Sequence, residues 1–141
     1  MPPNPIPRWP ENAGGPRALV ECEDAVVQDG LARVLRESGY AVVTCGGPQT
    51  RASHTCPLVT EGHCGLVEDA DVVVHALDAA DADDRTILYA IRERVPETPV
   101  VVEVPLSATG RDDALLAGYE TVRYPVTRQA LLDALEAATR G

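Results

Sequence analysis

Four cysteines are the residues of this 141-residue chain whose type and placement most directly suggest chemistry. Cys22 and Cys45 each end a short apolar run, and Cys56 and Cys64 lie in the irregular stretch that follows the second run. If the two runs are neighbouring parallel strands, their ends are about 5 Å apart, and the loop that leaves them could fold its two thiols back over them. The sequence therefore places all four thiols near one edge of a predicted sheet.

Three chemistries are open to such a group of cysteines. Four thiolates suit tetrahedral zinc or an iron–sulfur cluster, and His54 and His63, beside the last two cysteines, could replace one thiolate. Cys56 and Cys64 could instead form a reversible disulfide. The third reading is that the thiols are small buried hydrophobes, and the absence of two thiols separated by two residues counts against a metal.

Acidic residues follow the first and third apolar runs. Glu23 and Asp24 come directly after the first run, and Asp78 comes directly after DVVVHAL. Carboxylates at one sheet edge could gather Mg²⁺. The aspartates just beyond, Asp81, Asp83 and Asp84, favour a simpler interpretation, a solvated and acidic start of a helix.

Charge and composition exclude several function classes. The net charge is −10, from 22 acidic and 12 basic residues, which disfavours nucleic acid and anionic membrane surfaces as partners. All the basic residues are arginine, so a P-loop and Schiff-base chemistry are excluded. No apolar run is long enough for a membrane span, and the N-terminus does not resemble a signal peptide. We expect a cytoplasmic protein with reduced thiols.

The elements that would position these residues alternate along the chain. Residues 1–16 are rich in Pro and Gly and predict a disordered tail in which Trp9 has no assigned role. From residue 17 to 141, apolar runs alternate with helical patterns, which predicts one α/β domain with a parallel sheet covered on both faces. Asp24 is placed to cap the first helix and Gly39 to end it. Residues 46–70 show little helical period and predict an irregular loop in place of the second helix.

The order of these elements resembles the receiver domain of bacterial response regulators. The resemblance is clearest in RALVECEDAVVQDGLARVLRESGYAVV and in YETVRYPVTRQALLDALEAA, and it covers nearly the whole domain. It implies a flavodoxin-like fold with five parallel strands in the order 2-1-3-4-5, helices on both faces, and a site at the carboxyl ends of the first and third strands.

The residues that carry phosphotransfer in receivers are not retained at the matching positions. The paired acids after strand one read Cys22 and Glu23, and the phosphate-accepting Asp reads Ala76. The Ser or Thr that ends strand four reads Val104, and the Lys before the final Pro reads Tyr124. A phosphoryl acceptor needs a carboxylate, a metal and a cation around one group of oxygens. Only a degenerate acidic site, Glu23, Asp24 and Asp78, is left.

The sequence therefore predicts a pseudo-receiver, a non-catalytic regulatory module of bacterial signal transduction that binds a protein partner or a second copy of itself. By resemblance, the contact surface spans roughly residues 111–140 and includes Arg123 and Tyr124. The alternative hypothesis is a redox- or metal-sensing domain that uses the four cysteines. No nucleophile lies beside a plausible base in a known arrangement, so we do not expect an enzyme.

Overall fold

A computed structural model of the chain describes residues 8–11, 14–47, 56–77, 82–104, 116 and 118–140. Its β-strands are β1 (Arg17–Cys22), β2 (Ala41–Cys45), β3 (Val72–Ala76), β4 (Val100–Val104) and β5 (Glu120–Arg123). The strands β1, β2 and β3 coincide with the predicted apolar runs that end at Cys22, at Cys45 and in DVVVHAL. Valine makes up most of β3 and β4, and β-branched side chains favour extended backbone in a buried sheet.

Five helices are found in the described part of the chain. They are α1 (Ala25–Glu37), α2 (Pro57–Thr60), α3 (Gly65–Glu68), α4 (Ala82–Arg94) and α5 (Arg128–Arg140). The carboxylate of Asp24 caps α1, and Gly39, with φ of 94°, takes the left-handed conformation just after the helix ends. Thr127 caps α5 through a hydrogen bond that its hydroxyl accepts from Ala130 N. The sequence predicts the roles of Asp24 and Gly39 at the two ends of α1.

The five strands form one parallel sheet in the order β2-β1-β3-β4-β5. This order confirms the predicted 2-1-3-4-5 topology. All carboxyl ends of parallel strands lie at one edge of the sheet, so the residues that follow β1, β3, β4 and β5 meet there. We call this edge the carboxyl edge.

Helices cover the sheet on both faces, and a separate apolar core lies on each. On the α1–α5 face, Leu31 and Leu35 of α1 and Leu131 and Leu135 of α5 pack against the strands. On the α2–α4 face, the core is built from Leu58 of α2, Leu66 and Val67 of α3, and Ile87, Leu88 and Ile91 of α4. Successive residues of a strand point to opposite faces, so each strand supplies both cores.

The segment between β2 and β3 differs from the predicted irregular loop. Two helices of a single turn, α2 and α3, occupy its described part, residues 56–70. Leu58, Leu66 and Val67 anchor these turns in the core. Because each turn has only four residues, neither produces the apolar repeat that predicts a helix from sequence. Residues 48–55 lie outside the described part.

Trp9 contacts the domain, although the sequence assigns it no role. Its indole N–H donates to Leu66 O at 3.0 Å, and the Arg17 guanidinium lies 5.7 Å from the centre of its ring. The side chain packs against the core of the α2–α4 face. The disorder expected for the rest of residues 1–16 stays a prediction.

Of the helices in the described ranges, none has both the length and the apolar character that crossing a bilayer requires.

Candidate functional site at the carboxyl edge

The carboxyl edge brings together the residues that match the receiver site. Cys22, the last residue of β1, is paired in register with Ala76, the last residue of β3. Val104 ends β4 beside Arg123 of β5. Ala76, the residue that the resemblance matches to a receiver's acceptor Asp, packs its methyl group against the core of the α1–α5 face.

Of the acidic residues of the predicted degenerate site, Asp24 caps a helix and Glu23 lies in solvent. Asp24 Oδ1 accepts hydrogen bonds from Val26 N at 2.9 Å and Val27 N at 3.0 Å, so this carboxylate caps α1. Glu23 is exposed to solvent. Asp78 lies outside the described residues, as does His54 of the predicted cysteine site.

Tyr124 is the first residue of the loop that follows β5. Its backbone N–H donates to Val104 O at 3.0 Å, and the peptide bond to Pro125 is cis. The Tyr124 side chain is 46% exposed, and Arg123 beside it is also exposed. Both predicted contact residues therefore lie on the surface.

The four cysteines are thiols that the sheet divides between its two faces. Cys22 belongs to the core of the α1–α5 face, whereas Cys45, Cys56 and Cys64 pack with the core of the α2–α4 face. Cys56 and Cys64 are the N-cap residues of α2 and α3. His63 is exposed. Within the described ranges, no three or more His, Cys, Asp or Glu side chains are arranged to hold a metal ion.

The Cys22 thiol is held in its neutral form. Burial is the main cause that raises its pKa from 9.0 to about 11, and a backbone hydrogen bond at Asp24 acts in the opposite direction. The hydrogen bond that Sγ donates to Asp24 O at 3.4 Å holds the proton on the thiol. The negative charges of Glu103, Asp24 and Glu23 raise the pKa further. A thiol with so high a pKa is a poor nucleophile and a poor metal ligand at neutral pH.

A buried Glu–His pair lies at the same edge on the α2–α4 face, and sequence reasoning treated only its histidine. Glu21 and His75 are paired in register between β1 and β3, and Glu21 Oε1 lies 2.8 Å from His75 Nδ1. The two residues are 4% and 0% exposed. His75 is thus a core residue with one hydrogen bond, because its Nε2 has no hydrogen-bond partner among the described residues.

Asp84 contradicts the prediction that its helix begins with solvated aspartates, because it is only 1% exposed. The sequence did contain a signal for this. Asp84 precedes Ile87 and Leu88 by three and four residues, so it lies on the same stripe of α4 as the buried side chains.

Glu103 is the second carboxylate that the strands carry into the interior. It is the penultimate residue of β4, faces the α1–α5 side and is partly buried. Its Oε2 is buried without a hydrogen-bond partner in the described ranges. Burial raises the pKa of this carboxyl, and the nearby negative charge of Asp24 raises it further.

A groove of about 320 Å³ opens between α1 and α5 above Glu103. Apolar side chains of both helices form its walls, and Tyr124 and Pro125 form its rim. The full lining consists of Val27, Gly30, Leu31, Val34, Glu103, Tyr124, Pro125, Val126, Thr127 and Leu131.

Comparison with solved structures shows the receiver-domain fold. The response regulator receiver domain of Clostridium thermocellum is 23% identical with a TM-score of 0.66, over 89% of this chain and 94% of that one. A CheY-like receiver domain of Methanospirillum hungatei is 15% identical with a TM-score of 0.68, over 89% and 94%. The chain folds as a receiver-like domain. No family model and no curated protein sequence matches it.

A protein provisionally assigned to pilus assembly, from Burkholderia thailandensis, shares the same fold. It is 24% identical with a TM-score of 0.69, over 90% of this chain and 100% of that one. The receiver-like fold is therefore found in proteins of different assigned roles, so the fold alone does not assign a function to this chain.

Proposed function

We propose that this chain is a non-catalytic receiver-like module of bacterial signal transduction, which acts in the cytoplasm by binding a protein partner or a second copy of itself. The observation that carries the proposal is the pairing of Cys22 with Ala76 at the carboxyl edge. At this point a phosphotransfer site needs a carboxylate to accept the phosphoryl group.

The neighbouring residues support the same proposal. The Asp24 carboxylate accepts two backbone N–H groups of α1, so binding a metal ion would compete with its capping of the helix. Val104 has no hydroxyl at the end of β4, and Tyr124, the first residue after β5, has no positive charge. Transition-state charge on a phosphoryl group is normally stabilised by such groups.

The surface near this edge is suited to contacts with protein. Val26, at the start of α1, is 82% exposed, and Tyr124 is 46% exposed. Exposed tyrosine is enriched at protein interfaces because it combines a large apolar area with a polar tip. Val26 lies on α1, which forms one wall of the groove, and Tyr124 lines the groove from the loop before α5.

Intact-mass measurement after incubation with acetyl phosphate and Mg²⁺ tests the absence of phosphotransfer. We expect no mass increase corresponding to a phosphoryl group, whereas a working receiver domain treated in parallel should show one. A phosphorylated product would contradict the proposal. The Asp78→Asn variant would then show whether Asp78 is the acceptor.

The proposed contact surface is tested by association. If Arg123 and Tyr124 contact a second copy, the double variant Arg123→Ala and Tyr124→Ala should reduce the mass measured by light scattering at a concentration where the wild type associates. If the wild type is monomeric, the test is capture of a partner protein, and the double variant should then fail to bind the partner that the wild type binds. Glu120→Ala, an exposed change in the same strand, is the matched control. If the double variant associates as strongly as the wild type, the contact surface does not include Arg123 and Tyr124.

A further inference from the structure

We propose that the groove between α1 and α5 binds the cationic side chain of an arginine or lysine on a partner protein, with Glu103 as its counter-charge. This inference rests on the proposed interaction function and names the chemistry of the partner. Three independent features of the groove support it: its apolar walls, its charged floor and a glycine in one wall.

The walls suit the aliphatic part of a long basic side chain. Val27 and Val34 of α1 face Val126 and Leu131 across an opening of about 320 Å³. Arginine and lysine bury their methylene stems along apolar surface while the charged end stays with polar groups. Tyr124 at the rim offers an aromatic face, on which a guanidinium also stacks favourably.

The floor carries a negative charge that the described residues do not compensate. Glu103 lines the groove, and its Oε2 is buried without a hydrogen-bond partner in the described ranges. A carboxylate in this condition loses hydration without gaining a protein donor, which is unfavourable. A guanidinium or ammonium group that enters the groove would donate charge-assisted hydrogen bonds to it.

The charges around the groove select a cation over an anion. Asp24 lies close enough to Glu103 to raise the pKa of its carboxyl, and Glu23, which directly precedes Asp24, is exposed to solvent. The whole chain has a net charge of −10. An acidic or phosphorylated partner segment would be repelled from this surface.

Gly30 keeps one wall of the groove open. It lies in the middle of α1 at helical spacing from Val27 and Val34, and a Cβ built at this position meets no atom within 4 Å. Glycine within a helix is less favourable than alanine, and neither a positive φ nor close packing requires it here. Gly30 lines the groove, so a large side chain at this position would have open space beside it to fill.

Binding is tested by NMR titration of the full chain with N-acetyl-arginine amide, which presents the side chain as a protein does. The matched probe is N-acetyl-citrulline amide, which keeps the stem and shape but has no charge. We expect shifts of the amide signals of α1, β4 and the start of α5 with the arginine probe, and at least about tenfold weaker binding of the citrulline probe.

Two variants test the groove independently of each other. Glu103→Gln removes the charge and Gly30→Leu fills the space, and each should weaken binding of the arginine probe at least about tenfold. Glu120→Gln, an exposed carboxylate at the opposite end of the sheet, and Gly30→Ala, a smaller change in the same wall, are the controls and should retain binding. The unliganded spectra of all four variants show whether each is folded.

Every outcome decides the proposal. Equal binding of the two probes, or unchanged binding to Glu103→Gln, would show an apolar groove without charge recognition, and shifts elsewhere or none would show no such site. Tighter binding of free arginine than of the amide would identify a free amino acid and overturn the protein-borne source. The acetyl phosphate experiment does not depend on the groove. Arginine binding in the groove can therefore be disproved while the proposed absence of phosphotransfer still stands, and the reverse also holds.

Discussion

Glu21 and Glu103 are two carboxylates that strands carry to the same edge of one sheet, on opposite faces. Glu21 is 4% exposed and lies 2.8 Å from the ring of His75. Glu103 is less deeply buried, but its Oε2 has no hydrogen-bond partner among the described residues. The more buried carboxylate is therefore the better satisfied one.

The difference separates a structural role from a binding role. A buried charge that has a partner fixes how two strands pack, and the interaction between the two groups acts within the fold and not on a ligand. A partly buried charge that lacks a partner lowers stability until something binds to it. Lining an open groove, Glu103 is accessible to an external donor, whereas Glu21 is enclosed by the core of the α2–α4 face.

Breaking the internal pair should have the largest effect on stability. His75→Leu leaves Glu21 buried without its partner, and we expect the free energy of unfolding in urea to fall by about 3–5 kcal/mol. The double variant Glu21→Leu and His75→Leu replaces both groups with apolar ones and should recover most of this loss. A loss below about 1 kcal/mol in the single variant would show that the pair contributes little.

Removing the unsatisfied charge should act in the opposite direction. The pKa of Glu103 is raised in the folded state above its ordinary value of 4.5. The wild type therefore loses stability as the pH rises from 4.5 through the pKa of the folded state. Glu103→Gln does not titrate, so at neutral pH we expect it to be more stable by about 1 kcal/mol. Thermal unfolding at several pH values measures this gain, which should vanish in acid. A variant less stable than the wild type at neutral pH would mean that Glu103 is already satisfied.

The smallest expected effect concerns the reactivity of Cys22. With a pKa of about 11 instead of 9.0, its thiolate is about a hundredfold less abundant at neutral pH, and it should be alkylated by iodoacetamide far more slowly than Cys56. Glu103→Gln removes one of the charges that raise this pKa and should speed alkylation of Cys22 about twofold. Peptide mass spectrometry follows both rates, and the Cys56 rate should not change. Rapid alkylation of Cys22 in the folded wild type would contradict its assigned burial.

The sequence predicts the sheet because the signals for it are local. The run DVVVHAL is apolar throughout and too short for a helix, and Asp24 and Gly39 mark both ends of α1. Alternation of such units implies right-handed crossovers and hence a parallel sheet. The residues at the ends of the strands can therefore be matched to the receiver site from the sequence alone.

The candidate site itself depends on pairings between strands and on which face each residue takes. Only the register of β1 with β3 shows that Glu21 and His75 meet. Cys22 falls on the opposite side of the sheet from Cys45, Cys56 and Cys64, and that division is decided by the phase of each strand. The sequence placed all four at one edge, correctly for Cys22 and Cys45, but one edge does not imply one face.

The groove was missed for a related reason. Gly30 and Glu103 lie 73 positions apart, and neither carries a signal by itself. Gly30 gains significance only because it lines the same groove as the partly buried Glu103.

Trp9 gives the molecule an optical probe at the end of the sheet where the strands begin. It is the only tryptophan, and its ring lies near Leu66 and Arg17, away from the carboxyl edge. Fluorescence excited at the indole band therefore reports the local surroundings of that end alone. A ligand that changes the NMR signals of α1 but leaves this emission constant acts locally, whereas a change in both would show that the two ends of the sheet move together.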